Sequence, residues 1–229
     1  MKIYGHPWSV NTRKVLMTLE EKAQEAELSL VMIPNGEQKL PAHVALHPFA
    51  KVPVLDDEGF ILYEASAINR YLERKFPAPA LVPSDPQGAA LTNQWISAID
   101  YYFVPHAAPV IVETLFRRYL GGEANLLAIE SGREKMQTAL DVADQALERS
   151  PYLTGNDFSL ADIQLMPYLD YLEQIGFDQT ITVRRNLAAW WVRTSRRPSW
   201  QKVARTGPQP YDSGMTAESV EARSRAQSA

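Results

Sequence analysis

Residues 52–68 read VPVLDDEGFILYEASAI and carry three elements in succession. Val52-Pro53-Val54-Leu55 and Phe60-Ile61-Leu62-Tyr63 are short apolar runs around Asp56-Asp57-Glu58-Gly59, a turn ending in glycine, which is a hairpin pattern. A helix starts at once, with Ile68, Tyr71, Leu72 and Phe76 on one face, and Pro77-Ala78-Pro79 stops it. Toward the N-terminus, Lys2 to Gly5 is β-compatible and ends at Gly5-His6-Pro7. From Ser9 onward Val15, Leu16 and Leu19 recur at helical spacing. Leu28, Leu30 and Met32 alternate with Ser29, Val31 and Ile33 as a second strand, closed by Pro34-Asn35-Gly36. Residues 37–47 are polar and predict a short irregular helix. Residues 1–76 therefore run β-α-β, a connector, then β-β-α.

That order is the thioredoxin-like arrangement. Residues 77–86 hold four prolines and predict a linker. Beyond it strand signals fade, and residues 87–208 predict an all-helical domain. Gln87 to about Leu120 is mostly helical, with kinks expected at Pro105 and Pro109. Ile129, Met136, Leu140, Ala143 and Leu147 make one apolar stripe. Ser159-Leu160-Ala161-Asp162 is an N-cap signature, and Leu187, Trp190 and Trp191 mark a further helix limited by Pro198. Residues 209–229, poor in apolar side chains, predict a disordered tail.

The chain has 229 residues, 45% hydrophobic and 22% charged, with a formal net charge of -4. That mild acidity argues against a nucleic-acid surface, which is basic. No apolar run reaches the roughly 18 residues of a membrane span, and the first residues lack a signal-peptide core. The expectation is a cytoplasmic protein with no nucleic-acid or membrane partner. There is no cysteine, so any thiol chemistry must use a thiol carried by a ligand.

Four features bear on that chemistry. Ser9 lies between the first strand and the first helix, where free N–H groups and the positive helix end stabilise a thiolate, and its hydroxyl can donate to sulfur. Ser9 also reads as a plain N-cap to the Thr12 N–H. Val52-Pro53 can pair an extended ligand backbone with the chain, or simply open a strand. Glu64 begins a helix straight after a strand. The helix N–H groups can hold a carboxylate and the Glu64 side chain an ammonium, although an acidic first turn is common in any helix. Lys39, after Gln38, can meet a second carboxylate or stand solvated. His43 and His47 have i,i+4 spacing, but no glutamate follows His43 as a zinc-protease motif requires. They predict a surface helix, and no metal site is expected. Tyr4 predicts core. Trp8, Tyr101, Tyr102, Phe103 and His106 are aromatic residues that can line a pocket between the domains or form core.

Taken together, in this order and setting, the features resemble the glutathione transferase family over residues 2 to about 204. The stretch Gly5-His6-Pro7-x-Ser9-x-x-Thr12-Arg13 is closest to its serine-type branch, the plant phi class and bacterial relatives. The resemblance implies the glutathione transferase fold: an α/β thioredoxin-like N-terminal domain plus an all-α C-terminal domain. It implies that glutathione is a substrate and that the chain is a detoxifying homodimer. Ser9 would hydrogen-bond the sulfur. Val52 would pair with the cysteinyl unit, with Pro53 cis. Gln38 and Lys39 would approach the glycine carboxylate, and Glu64 would hold the γ-glutamyl ammonium. The electrophile pocket would take in Trp8, Tyr102 and His106. Asp162 with Ser159 resembles the family's structural capping motif.

Two departures from the family pattern stand out. Ala65 occupies the place where a serine usually binds the γ-glutamyl carboxylate. The N–H of Ala65 remains, and Ser66 lies about 100° further around the helix. Losing one charge-assisted hydrogen bond costs about 1.5–3 kcal/mol where nothing compensates. Asn11 is the second departure. A residue of this type is found in relatives that favour disulfide or peroxide chemistry, and it can assist Ser9 at the sulfur. Glutathione conjugation to a small hydrophobic electrophile is the leading expectation. A glutathione-dependent peroxidase or disulfide reductase, a dehalogenase-like specialist and a non-catalytic binding or scaffold protein are the alternatives.

Overall fold

The computed structural model describes residues 1–206; the expectation of a disordered tail over 209–229 falls outside the described residues. The first elements are β1 (Lys2–Gly5), α1 (Val10–Glu21), β2 (Glu27–Leu30), α2 (Pro41–Val44), β3 (Val54–Asp57), β4 (Phe60–Tyr63) and α3 (Ala65–Lys75). The four strands form one sheet in the order β2-β1-β3-β4. β1 pairs parallel with β2 and antiparallel with β3, so Ile3 stands opposite both Leu28 and Leu55. Val15 and Leu19 of α1 and Ile68 and Leu72 of α3 close over Ile3 and Leu55 as a small core.

Three local expectations shift. β2 stops at Leu30, and Ile33–Asn35 is a 3-10 turn ending on left-handed Gly36, because Pro34 has no N–H for a ladder and fixes φ. Asp56 and Asp57 belong to β3, so the hairpin turn is only Glu58-Gly59, both with positive φ (56° and 92°), as a twist-matched two-residue turn needs. His43 and His47 are buried, not on a surface helix; α2 is a single turn, and the segment after it folds the second histidine inward.

The helical half begins with α4 (Pro86–Ala98), capped by Asp85, and continues through α5 (Val104–Ile111) and α6 (Arg117–Leu120). Five-residue π turns at Ile99–Phe103 and Val112–Phe116 join these three. The expected irregularity around Pro105 and Pro109 thus takes the form of widened turns on either side of the prolines. The apolar stripe from Ile129 to Leu147 splits between α7 (Leu126–Lys135) and α8 (Gln137–Leu147). Next come α9 (Leu160–Gln174), α10 (Gln179–Thr182), α11 (Arg185–Ser195) and α12 (Pro198–Ala204). Pro198 opens α12 as well as ending the run before it, as proline at a first helical position can. Met17, on the far side of α1 from Val15, packs into this second core with Leu165, Leu169 and Trp200. One helix is thereby shared by two cores.

Asp162 organises the start of α9. It is wholly buried, and it accepts from Ser159 N (2.9 Å), Ser159 Oγ (2.9 Å), Leu153 N (3.1 Å) and Trp190 Nε1 (2.7 Å). Burial raises its carboxyl pKa while these donors act to lower it. Asp162→Ala strands several buried donors and is expected to lower the unfolding free energy by about 3 kcal/mol or more. Urea unfolding followed by tryptophan fluorescence reads this directly, and a loss below about 1 kcal/mol would show that the carboxylate does not anchor α9.

Candidate active site

The loop from Gly5 to Ser9 is fixed from several directions. Gly5 is required there: a Cβ would meet the Thr12 side chain at 2.7 Å. Ser9 N donates to His6 O (2.9 Å), and Trp8 N donates to His6 Nδ1 (3.2 Å). The buried Arg13 donates through Nε to Pro7 O (2.8 Å) and through a terminal nitrogen to Asp170 Oδ2 (2.9 Å), and its guanidinium lies 4.5 Å from the Tyr171 ring centroid. Tyr171 Oη donates to Trp8 O (2.9 Å). Asp170 and Tyr171 belong to α9, so the helical half holds the loop of the sheet domain in place. Burial pushes the Asp170 carboxyl up to about 6, although Arg13 pulls the other way.

Ser9 emerges from this loop as the N-cap of α1. Its Oγ accepts from Thr12 N (3.3 Å). The cap occupies a lone pair and leaves the O–H free to donate, so capping and thiolate stabilisation are compatible. Two cavities meet at this residue. The first, about 530 Å³, is lined by Ser9, Asn11, Ile33, Gln38, His47, Phe49, Ala50, Lys51, Val52, Glu64 and Ala65. The second, about 210 Å³, is almost wholly apolar and is lined by His6, Trp8, Ser9, Val10, Ile33 and Pro34 from the sheet domain. Ala108, Ile111, Val112, Phe116, Tyr119, Leu120 and Tyr168 complete it from the helices. Among the described residues, only Ser9 and Ile33 line both.

The polar cavity brings together most of the expected binding residues: Gln38, Val52, Glu64 and Ala65, with Ser9 and Asn11. The Val52–Pro53 peptide is cis. Glu64 sits at φ 71° and Ala50 at φ 52°. Two non-glycine residues in the left-handed region, each costing roughly 1–3 kcal/mol, line one cavity, which is the kind of strain a binding site retains.

Other expected residues lie elsewhere. Lys39 is exposed and off the cavity wall, where Lys51 stands instead. Ser66 turns away and donates to Asp100 Oδ2 (3.4 Å), whose other oxygen accepts from Gln164, so it does not replace the hydroxyl missing at Ala65. Trp8 does line the apolar cavity, 5.2 Å from Tyr119 between ring centroids. Tyr102 and His106 line a separate hollow against α8, because the π turn at Ile99–Phe103 rotates that face away from Ser9. Phe116 and Tyr119 take the place expected of them. Among the described residues no cluster of His, Cys, Asp or Glu is arranged to hold a metal.

Sequence comparison agrees with this geometry. The family model for the glutathione S-transferase N-terminal domain matches residues 8–75, and that for the C-terminal domain matches residues 105–198. Glutathione S-transferase F11 of Arabidopsis thaliana is 32% identical over 206 residues, covering 89% of this chain and 96% of that protein. Glutathione S-transferase 3 of Zea mays is 33% identical, covering 92% and 96%. The crystal structure of glutathione transferase F2 from Populus trichocarpa superposes with a TM-score of 0.84 at 31% identity, covering 90% of this chain and 99% of that one. The chain belongs to the glutathione S-transferase family.

His6 supplies a pH test of the loop. Burial, and then the charge of Arg13, lower its pKa from the usual 6.5 to about 4, so the ring is neutral and Nδ1 is free to accept from Trp8 N. Between those two values the unfolded chain binds a proton that the folded chain refuses. Stability from this source is complete above pH 6.5 and falls away as the pH drops toward about 4. His6→Asn keeps an acceptor without the titration. Its melting temperature is expected to fall less than that of the wild type across this range; equal losses would mean that His6 does not control the acid limb.

Proposed function

We propose that the protein conjugates glutathione to small hydrophobic electrophiles. One observation carries the reading: the Ser9 hydroxyl stands where a polar, peptide-sized cavity opens into an apolar one. The tripeptide lies in the polar cavity. Its cysteinyl unit pairs with the backbone at Val52, ahead of Pro53. Its γ-glutamyl ammonium faces Glu64, and the matching carboxylate meets the first N–H groups of α3 at Ala65. Gln38 faces the glycyl end, with Lys39 reaching it only from outside. The thiol releases its proton to solvent. The Ser9 O–H and the α1 N-terminus stabilise the thiolate, and Asn11 faces the same cavity. Sulfur then forms a bond to the electrophilic carbon in the apolar cavity beside Trp8 and Phe116, and any leaving group departs with its electron pair. A maize relative with a TM-score of 0.81 has been solved in complex with an atrazine glutathione conjugate.

The same reading makes the protein a detoxifying enzyme of the cytoplasm, where glutathione is kept reduced. It also makes it a homodimer, for which the exposed side chains of Phe49, Tyr101 and Tyr102 offer apolar surface. A second reading, glutathione-dependent reduction of hydroperoxides or disulfides, draws on Asn11 beside Ser9 in the polar cavity.

Ser9→Ala tests the chemistry. The variant is expected to bind glutathione within a few-fold of the wild type and to lose the thiolate absorbance near neutral pH. It is expected to conjugate an aryl halide roughly 10²-fold more slowly, the usual loss for one preorganised donor. A variant that retains both absorbance and rate would rule out Ser9 as the activating group. Rapid turnover of cumene hydroperoxide without aryl-halide conjugation would select the second reading.

A further inference from the structure

The wall of the apolar cavity carries two hydrogen-bond donors that meet no acceptor among the described residues: His6 Nε2 and Tyr168 Oη. His6 Nδ1 is taken, since it accepts from Trp8 N (3.2 Å). Burial, then the charge of Arg13, keep the ring neutral, so its one N–H sits on Nε2. Tyr168 stands on α9, its ring fixed by the edge of Phe103 (centroids 5.8 Å apart) and by the Lys14 ammonium 4.8 Å from its centroid. Burial raises the pKa of its phenol, which therefore keeps its hydrogen. The two residues are only 3% and 2% exposed, and a buried donor without an acceptor needs a cause. Neither donor is walled in. Among the described residues, the side-chain polar atoms both unpaired and sealed from solvent are Arg13 Nη2, Gln38 Oε1, His47 Nδ1 and Asn69 Oδ1. His6 Nε2 and Tyr168 Oη keep accessible surface, and the cavity that both residues line is the apolar one. It is also the cavity that Ser9 lines, and Ser9 N donates to His6 O (2.9 Å).

We propose that His6 and Tyr168 are catalytic residues that act on the electrophile: His6 Nε2–H and Tyr168 Oη–H donate to its carbonyl oxygen and hold the negative charge that forms there as sulfur adds. The inference rests on the conjugation reading and deepens it, because it selects electrophiles that carry such an oxygen beside the carbon attacked. With an α,β-unsaturated ketone, sulfur forms a bond to the β-carbon, and the electron pair of the C=C bond moves through the carbonyl to oxygen as an enolate. The α-carbon then takes a proton from solvent, which balances the proton released when the thiolate formed. A neutral imidazole N–H can polarise a carbonyl in this way. Donors fixed in an apolar cavity are worth more than the same donors in water. An electrophile without an oxygen leaves both unused.

Turnover at saturating glutathione tests this with benzalacetone, an enone, and with benzyl chloride, which keeps the aromatic ring but has no oxygen. His6→Asn retains an acceptor for Trp8 N and removes the Nε2–H. Tyr168→Phe retains the ring contacts with Phe103 and Lys14 and removes the O–H. Each variant should slow benzalacetone roughly 10²-fold, the loss for one preorganised donor. Each should leave the benzyl chloride rate and the thiolate absorbance unchanged, since neither substitution touches the sulfur. Equal slowing of both substrates overturns the proposal, as does an enone rate that survives either substitution. Tyr168→Phe is nearly isosteric and decides the matter alone if His6→Asn does not fold. Wild type that turns over neither substrate fails the conjugation reading itself, and this assignment with it.

Discussion

The buried guanidinium of Arg13 joins the active-site loop of the sheet domain to the helical half of the molecule. It takes one partner from the active-site loop, Pro7 O, and two from α9, the Asp170 carboxylate and the face of Tyr171. A buried cation held by a single carboxylate would be a doubtful source of stability. Here its value is positional. The carbonyls of Pro7 and Trp8, both spoken for by residues of this cluster, set the path of the chain into Ser9. The helical domain therefore does more than wall one side of a pocket. Through α9 it aims the Ser9 hydroxyl, and the Asp162 network at the other end of the same helix fixes where Asp170 and Tyr171 stand.

How far the sequence foretells the site follows from which forces place each residue. Ser9, Val52 and Glu64 sit at junctions between a strand and a helix or beside proline, and such junctions are written locally in caps, turns and period changes. They are legible in one sequence. Phe116 and Tyr119 are not, because their positions depend on two π turns that shift the helical phase between Ile99 and Phe116. An uninterrupted helix through Tyr102 and His106 points those side chains at the wrong cavity. His47 is hidden for a different reason. A one-turn helix gives no periodicity to read, so its burial is known only from the way Tyr63 and Phe49 close around it. Lys51 had a sequence signal, a cation directly before Val52-Pro53, that Lys39 overshadowed.

The start of α3 deals with the loss of a hydroxyl at Ala65 without replacing it. Ser66 reaches across to Asp100, and Gln164 of α9 holds the other oxygen of that carboxylate. Lys14 is buried beneath, 4.8 Å from the Tyr168 ring, its ammonium pushed down to about 8 by burial and supported by Asp100 and Glu64. The first turn of α3 is consequently tied to the helical domain and kept in a field that includes a buried cation. The peptide N–H groups that would receive a carboxylate are thus held on a rigid element, which lowers the ordering cost of binding.

The division of the cleft then explains why one side chain can serve folding and chemistry together. The cap bond from Thr12 N uses the Ser9 oxygen as an acceptor; under the proposed mechanism the sulfur would use the same group as a donor. Neither role competes with the other, and the first orients the second. On one side of the hydroxyl, polar and strained backbone positions suit an extended, charged peptide. On the other, the rings of Trp8, Phe116 and Tyr119 exclude water and offer no charge. Under the proposed mechanism a thiolate at that boundary would be stabilised from the polar side and poorly solvated on the apolar side. An apolar electrophile entering beside Trp8 would then meet a nucleophile from which little water has to be stripped. The chemistry follows from where the boundary falls, and the boundary is placed by the loop that Arg13 holds.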